Sequence, residues 1–593
     1  MNLFAELRRR NVLRAGVLYI GGVWALAQGI AQLGPALGAP VWITRWFVVA
    51  AVVGLPFWIA VSWFYEITPS GIRRESEIVP DDSTGRSAGR KLDRAIIAVL
   101  AIAVALLITN AIWHQSGVSQ SGPAVAAIPD KSIAVLPFAN ESGDKDEGYF
   151  SDGLSEDMIT TLSQVATLKV ISSASSFQYR DSKDSPAAIG SALGVAHLLV
   201  GAVQRLRDQV RVTVTLLSAR DGSTVWSQHY DRPYRDLFKL QDEIAQSVTG
   251  ALRTKLVTVP GAVDQSDRPP SGNLDAYNAY LQASGLGGNG SNDDLRKSIE
   301  YFDAAIRIDP GYAQAYAMKS GAWTALAGSL GGQQAQDAYT QAQQAADAAL
   351  TLDQNLALGH MARGYLLYSR NYDWAGAVAE FKRALQLAPN NDRARALLGQ
   401  ALATLGQVRQ GIELTRGALL VDPLSSTSYQ GLFLYYLGVG QLDDAERAIR
   451  TQMTLQKNND VLYGSLATID ILRGNATSAL QNAKRVANAP WNDIFGAMAL
   501  QAGKNRVAAD AALKLVVEKY ATDGPYQIAQ IYGVRDDANG VFAWLDKAWA
   551  AHDPGIQQVL YDPFVLKFRN DPRFAVFCAK AGLPATTDAK VTQ

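Results

Sequence analysis

The sequence predicts three kinds of structure in order along the chain: transmembrane helices, then an α+β domain, then an all-α solenoid of helical repeats. Three uncharged apolar runs lie within the first 115 of the 593 residues. Short apolar runs and helical spacing alternate after them, and the rest is rich in alanine, with two prolines 34 residues apart. At roughly 100–200 residues per domain, this length allows three or four units.

The apolar runs 15–33, 46–65 and 95–113 contain no Asp, Glu, Lys or Arg. Each run is close to the roughly 20 residues that a helix needs to cross the hydrocarbon core of a bilayer. We therefore predict a membrane domain over 1–114 with three transmembrane helices, which makes the lipid bilayer a partner of the chain. A cleavable signal peptide is a poorer interpretation, because two more apolar runs follow the first.

The basic residues around these runs predict the orientation, because cytoplasmic loops are enriched in Lys and Arg. Four arginines precede the first run, Arg45 alone lies between the first and second, and six basic residues lie between the second and third. This alternation indicates a cytoplasmic N-terminus, with everything after Trp113 on the far side of the membrane. We expect a multi-pass protein of a bacterial inner membrane with a periplasmic C-terminal region.

The charge balance and the cysteine count argue against several function classes. Lys plus Arg and Asp plus Glu both number 55, so the basic excess typical of nucleic-acid binders is missing and we expect no nucleic-acid partner. Cys578 is a single cysteine and cannot form an internal disulfide or a cysteine metal cluster. No two of the five histidines stand at a metal-ligand spacing. We expect no cofactor and no metal.

An α+β domain is predicted at 130–257, between linkers at 115–129 and 258–272. Short apolar or alternating runs predict strands at 132–138, 168–172, 197–206, 210–217 and 225–230. The third and fourth of these form an antiparallel hairpin. Helical spacing predicts helices at 149–165, 186–193 and 237–256. Ser151 and Asp152 are candidate caps of the first helix.

Three segments of this domain carry a family resemblance. They are 132–182, which begins SIAVLPFANESGDKDEGYF, 193–226, which contains LVGAVQRLRDQVRVTVTLL, and 236–252, DLFKLQDEIAQSVTGAL. Together they resemble the TolB-like amino-terminal domain, related to the FlgO-type fold. In such proteins this domain often precedes tetratricopeptide repeats, and 4–28 resembles the membrane head of that architecture. Some relatives carry a DNA-binding or a cyclase head instead, and neither is recognised here.

An acidic cluster in the same domain raises the question of catalysis. Its members are Asp144, Asp146, Glu147, Asp152, Glu156 and Asp157. Paired carboxylates can act as acid and base or bind a cation, but a solvated loop and a helix N-terminus also favour acidic residues. Four serines at 172–176 lack the surroundings of a nucleophile. We predict no catalytic residues and no enzyme.

The region 273–585 is predicted to be a repeat solenoid, followed by a tail at 586–593. Pro389 and Pro423 are 34 residues apart, which is the length of a tetratricopeptide repeat. Ala377, Phe381 and Ala384 precede the first proline in the small–aromatic–small pattern of the second helix of such a repeat. The next unit departs from this pattern at Gly411 and Thr415. Since no unit buries its apolar face alone, the units must stack.

Stacked repeats of this kind form a superhelix whose concave groove is lined by the first helix of each pair. The signature spacing predicts a partner-binding groove at Tyr365, Tyr368, Arg393, Gln400, Gln430, Leu434 and Thr468. A mixture of polar and aromatic side chains suits an extended peptide ligand. The alternative interpretation, that these residues only cover the inner surface, stays open.

Three functions remain. The first is a membrane-anchored periplasmic scaffold or sensor, whose repeats and TolB-like domain bind a protein or peptide partner. The second is signal transduction through a separate cytoplasmic effector, by analogy with relatives that carry cyclase or DNA-binding heads. The third is a hydrolase that uses the acidic cluster. A homo-oligomer is compatible with each of the three.

Overall fold

The computed structural model describes residues 19, 23, 54, 65–68, 71–74, 128–144, 147–165, 167–252, 266–287 and 291–590. The chain divides into two compact units, Met1–Ala126 and Ala127–Gln593. In the first unit, strands β1 (Tyr65–Thr68) and β2 (Gly71–Arg74) form an antiparallel hairpin in which Tyr65 pairs with Arg74.

The predicted fold class and location are corrected at this point. Among the described residues, no helix has both the length and the apolar character needed to cross a bilayer. The predicted spans 15–33, 46–65 and 95–113 lie outside the described residues, apart from Tyr19, Val23, Gly54 and Tyr65. Tyr65, predicted to end the second span, is a strand residue. The described chain is mostly helical with a small sheet, so the transmembrane fold class and the inner-membrane location are wrong by this criterion. An uncharged run of about 20 residues is necessary for a span but does not establish one.

The second unit begins with a mixed sheet. Its strands are β3 (Ser132–Val135), β4 (Ala139–Asn140), β5 (Lys169–Val170), β6 (His197–Leu206), β7 (Gln209–Ser218) and β8 (Thr224–Pro233). The strand order is β5-β3-β6-β7-β8, and β4 also pairs with β6. Pairing is parallel among β3, β5 and β6 and antiparallel from β6 to β8. The predicted hairpin is confirmed, because β6 and β7 pair antiparallel. Alternate β7 residues from Val210 to Leu216 are buried, as expected of a half-buried strand.

Helices cover both faces of this sheet. They are α1 (Gly148–Ser163), the short α2 (Ser173–Ser176), α3 (Pro186–Leu193) and α4 (Leu237–Ala251). Helices α1 and α4 share one apolar core with β3, β6 and β7, and α3 packs into a second core on the other face. Two expectations about the ends of elements were wrong. The first strand stops before Pro137, which has no amide hydrogen for the ladder. Ser151 lies inside α1 rather than at its cap.

Paired helices make up the rest of the unit. They are α5 (Leu274–Gly287), α6 (Asn292–Ile308), α7 (Ala313–Ser329), α8 (Gly332–Leu352), α9 (Ala357–Leu366), α10 (Trp374–Leu387), α11 (Asp392–Thr404), α12 (Val408–Leu419), α13 (Ser426–Gly438), α14 (Leu442–Leu455), α15 (Leu462–Leu472), α16 (Ala476–Ala483), α17 (Ala489–Gln501), α18 (Arg506–Tyr520), α19 (Pro525–Arg535), α20 (Ala538–Ala550), α21 (Pro563–Leu566) and α22 (Pro572–Lys580). The signature residues Ala377, Phe381 and Ala384 are fully buried.

The turns inside four successive helix pairs repeat the same backbone conformation. Tyr372, Gly406, Gly440 and Gly474 follow one another at intervals of 34 residues and have φ angles of 53°, 78°, 74° and 75°. Glycine adopts this left-handed conformation without a Cβ penalty, and it commonly ends a helix. Tyr372 follows a π-helical turn at Leu367–Asn371. The structure therefore contains a 34-residue repeat, with a π-helical turn at the end of one first helix.

The departures of the second unit from the repeat pattern have a packing reason. A Cβ on Gly399 would lie 3.0 Å from the carbonyl oxygen of Gly411, and a Cβ on Gly411 would lie 2.8 Å from that of Gly399. Helices α11 and α12 therefore approach closely at a pair of glycines. Gly411 takes the place of the usual alanine because the backbones nearly touch there.

Candidate functional site: a partly filled repeat groove

The predicted groove residues lie on the first helices of four successive pairs. Tyr365 and Gln400 lie near Tyr368, because both side chains influence the pKa of the Tyr368 hydroxyl. Tyr365 is 39% exposed, whereas Tyr368 is only 2% exposed. The predicted set therefore contains both surface and core residues.

Five of the predicted groove residues are exposed or half-buried, and we call this set the open groove: Tyr365, Arg393, Gln400, Gln430 and Leu434. Gln430 and Leu434 are one turn apart on α13. The other two predicted residues, Tyr368 and Thr468, are buried, and the Thr468 hydroxyl donates to the Gly464 carbonyl of its own helix. Side-chain amides and hydroxyls of the open groove can donate to and accept from a peptide backbone.

Tyr368 has a structural role. Its hydroxyl is 2.9 Å from Thr404 Oγ1, and its ring meets Trp374 edge to face at 5.3 Å. Burial is the main reason why the pKa of Tyr368 lies far above its usual range. A tyrosine that is neutral and enclosed by the chain itself cannot contact an external ligand. The burial of Tyr368 therefore argues against its predicted role as a ligand-binding residue.

Part of the region beside the groove is filled by the end of the same chain, a feature that the sequence pattern did not reveal. Tyr561 packs edge to face on Tyr435 at 5.4 Å, and a Cβ on Gly438 would lie 2.6 Å from the Tyr561 carbonyl oxygen. Trp374 Nε1 donates to the Ala581 carbonyl at 3.0 Å. The end of the chain thus packs against repeats that precede it by 126 residues at Tyr435 and by 207 residues at Trp374.

The segment after α22 follows the turns of two repeats. The backbone amide of Asp588 donates to the Gly406 carbonyl, and that of Lys590 donates to the Gly438 carbonyl, both at 2.9 Å. The Asp588 carboxylate accepts from the amides of Val408 and Arg409 at the start of α12. A cavity of about 530 Å³ lies beside this contact, lined by Leu405, Gly406, Gln407, Pro584, Thr586, Thr587 and Asp588. The tail predicted at 586–593 is docked as far as residue 590.

The α+β domain contacts the repeats directly. Ser175 Oγ donates to the Asp422 carboxylate at 2.5 Å, and Ser172 Oγ donates to the same carboxylate at 3.0 Å. Asn390 Nδ2 donates to the Ser163 carbonyl at 2.9 Å. Burial, with the nearby Asp422, raises the pKa of Asp392 to about 6. These serines therefore attach the domain to the loop before α13, which explains them without any nucleophilic role.

Two aromatic residues were not predicted as part of the site. Trp491 and Phe495 stack at 5.7 Å on α17, and a Cβ on Gly464 of α15 would lie 2.0 Å from the Phe495 ring. Both aromatic residues remain half-buried. The i, i+4 spacing of two aromatics on a first helix was the signal in the sequence that could have identified them.

The candidate reactive groups of the sequence are the histidines, the cysteine and the acidic cluster. Within the described ranges, no group of three or more His, Cys, Asp and Glu side chains is placed to hold a metal ion. Burial raises the pKa of the Cys578 thiol to about 11, so the thiol is protonated at neutral pH. Asp152, which was part of the acidic cluster, forms a 2.8 Å ion pair with Arg180. Asp146 lies outside the described residues.

Two family profiles match the chain. Residues 369–432 match a tetratricopeptide repeat profile. Residues 129–248 match the second domain of HilA/YgeH-like transcriptional regulators. The chain therefore contains tetratricopeptide repeats in its C-terminal region, as predicted. The match at 129–248 is to a family other than the expected TolB-like, FlgO-type family, which is not shown.

Among curated proteins, a Rhizobium meliloti (strain 1021) protein named "Putative adenylate cyclase 3" is 35% identical over 223 residues. The alignment covers 35% of this chain and about a third of that relative, 36%. Among solved structures, the type IV pilus biogenesis factor PilW is 20% identical, with 37% of this chain and 95% of that chain covered and a TM-score of 0.32. The Cut9-Hcn1 hetero-tetramer of APC/C is 14% identical, with coverages of 55% and 59% and a TM-score of 0.34.

Proposed function

We propose that the chain is a scaffold that binds an extended segment of a protein partner along the open groove. Tetratricopeptide repeats are interaction modules, and the single observation that supports the proposal is that five of the predicted groove side chains are exposed or half-buried. Its aromatic ring, guanidinium, amides and leucine stay accessible while the chain's own terminal segment packs at the neighbouring turns. Alternating apolar and polar contacts of this kind suit an extended peptide.

The proposed action is binding without turnover. Two of the carboxylates that raised the possibility of a hydrolase have other partners: Asp152 pairs with Arg180, and Asp157 accepts from Gln241 at 2.5 Å. Ser172 and Ser175 donate to the Asp422 carboxylate. The kinship of 130–257 with TolB-like amino-terminal domains is likewise a proposal that rests on the three sequence segments.

A second candidate function is regulation of a separate output protein. Two similarities favour it. Residues 129–248 match a domain of transcriptional regulators, and part of the chain aligns with a protein named as an adenylate cyclase. In this proposal the α+β domain and the repeats form a regulatory module whose bound partner carries the output. This second proposal also requires a protein partner, so the groove experiment bears on both.

The test is selection of binding peptides from a random library with the full-length chain, followed by dissociation constants for groove variants. We expect Gln430→Ala combined with Leu434→Ala to weaken binding of the selected peptides at least about tenfold, since the loss of a hot-spot contact costs more than about 1 kcal/mol and about 1.4 kcal/mol corresponds to tenfold. Val507→Ala on α18 is the matched control, because Val507 is 82% exposed and lies outside the groove. Equal affinities for all three proteins would refute the proposal.

A further inference from the structure

A buried polar network joins the α+β domain to the first repeat. Asp157 of α1 is 5% exposed. Its carboxyl accepts hydrogen bonds from Gln241 Nε2 of α4, at 2.5 Å, and from the Tyr277 hydroxyl of α5. Gln241 Nε2 is also 3.2 Å from the Tyr277 hydroxyl. One carboxyl thus connects two helices of the α+β domain to the first helix of the repeats.

A second carboxyl comes from the segment 266–270 that leads into the repeats. The Tyr280 hydroxyl of α5 donates to the Asp267 carboxyl at 3.1 Å, and the Tyr312 hydroxyl donates to the Asp267 carbonyl. Gln314 Nε2 of α7 donates to the Ser266 carbonyl at 2.8 Å. This segment is therefore fixed against α5 and α7, with its carboxyl facing Asp157 and Glu156.

The negative charge at this junction is poorly compensated. Arg268 is the cation facing Asp157, but its guanidinium donates to Asp242 at 2.7 Å and lies 5.2 Å from the Phe238 ring centre. Asp152 on α1 adds a further carboxylate beside Glu156 and is paired with Arg180. Asp309 faces Tyr312 from the end of α6.

One buried acceptor atom of the network also lacks a hydrogen-bond donor. Gln241 is 1% exposed, and its Oε1 atom has no hydrogen-bond partner within the described part of the chain. A carboxylate has no hydrogen to give, whereas a protonated carboxyl is a donor. Protons on the carboxyls relieve the uncompensated negative charge.

We propose that protons control the packing of the α+β domain on the first repeat, with the junction closed while Glu156, Asp157 and Asp267 hold protons and looser once they ionise. The device is a pH-sensitive latch between the domain and the repeats, and it does not depend on the identity of the groove ligand.

The direction of the pH dependence follows from the burial of these groups. Burial, strengthened by Asp267 and Asp152, raises the pKa of Glu156 to about 7. Burial raises the pKa of Asp267 to about 6, and it raises the pKa of Asp157 well above its usual range. A carboxyl whose pKa is raised on folding stabilises the closed state below its ordinary pKa, and this contribution is lost as the pH rises to the folded value. The latch therefore weakens between about pH 4 and pH 7, and it stays weak above pH 7.

The test is hydrogen–deuterium exchange of the full-length chain between pH 6 and pH 8, corrected for the intrinsic exchange rate and read on peptides from α1 and α5. For a carboxyl with a folded pKa near 7, linkage predicts that the opening equilibrium rises about tenfold over this interval. The double variant Glu156→Gln, Asp267→Asn carries neutral amides in place of two of the three acids and leaves Asp157 ionisable, so its α1 and α5 peptides should show a smaller rise with pH than the wild type.

Glu243→Gln is the matched control, because Glu243 lies on α4 but pairs with Arg232 at the surface. It should keep the pH dependence of the wild type. A wild-type profile that is flat, or a double variant as pH-dependent as the wild type, would overturn the latch. If the double variant unfolds, Glu156→Gln alone is measured. An unchanged dependence of exchange on pH in that variant also counts against the latch.

Discussion

At the residue scale, Tyr365 and Tyr368 show how two residues with the same predicted role can differ. They are three positions apart on one helical segment, yet one is 39% and the other 2% exposed. The π-helical turn at Leu367–Asn371 begins between them and changes the direction of the side chains that follow. Exposure therefore separates a residue of the open groove from a residue of the core.

This difference predicts the result of removing each hydroxyl. Tyr368→Phe should lower the free energy of unfolding by about 1 kcal/mol, because the buried Thr404 hydroxyl loses its 2.9 Å partner. Tyr365→Phe, at an exposed position, should change it by less than about 0.5 kcal/mol. Urea denaturation of both variants measures the two values. Equal effects would show that Tyr368 is not a buried hydrogen-bonding residue.

At the element scale, the turns between paired helices depend on a positive φ angle. Gly474 has φ of 75° and no atom within 4 Å of an added Cβ, so Gly474→Ala tests the backbone conformation alone. We expect a loss of about 1 kcal/mol in the free energy of unfolding. Gly496 in α17 is also unobstructed but helical, so Gly496→Ala should be stabilising by up to about 1 kcal/mol. Thermal unfolding shows whether each variant is stabilised or destabilised. If both variants changed stability in the same direction, the positive φ angle assigned to Gly474 would be contradicted.

The docked C-terminal segment is a second feature at the element scale. Asp588 accepts from the first amides of α12, the role usually taken by a capping residue at the start of a helix. Asp588→Ala should lower the free energy of unfolding by about 1 kcal/mol, while Asp588→Asn, which keeps an acceptor, should retain most of it.

Exchange protection of residues 584–590 in the same variants reports whether the segment stays docked. Asp546→Ala is a suitable control, because Asp546 only pairs with the exposed Lys580. If the segment remained fully protected in Asp588→Ala, the carboxylate would have no part in docking it.

At the scale of the whole molecule, local patterns were readable from the sequence and contacts between distant residues were not. The 34-residue spacing predicted the repeats, and alternation from Val210 to Leu216 predicted a half-buried strand. The bond from Ser175 to Asp422 joins residues 247 positions apart, and no local pattern carries such a contact.

Two other failures have physical reasons. From the sequence, Asp157 is expected at the surface, because acidic residues are seldom buried without partners. In the structure, Gln241 and Tyr277 bind it inside the junction. The apolar runs near the N-terminus were read from composition alone, and Tyr65 at the end of one run lies in a strand. Composition records the absence of charge, but it does not determine the secondary structure that follows.

The central claim, that the open groove holds an extended partner segment, is tested most directly by site-specific photocrosslinking. A photoreactive phenylalanine analogue replaces Gln430 in one protein and Val507 in another, and each is irradiated with a library-selected peptide. We expect a covalent adduct at position 430 that excess free peptide abolishes, and no adduct at position 507, which is 82% exposed. Adducts of equal yield at both positions, or at 507 alone, would contradict it.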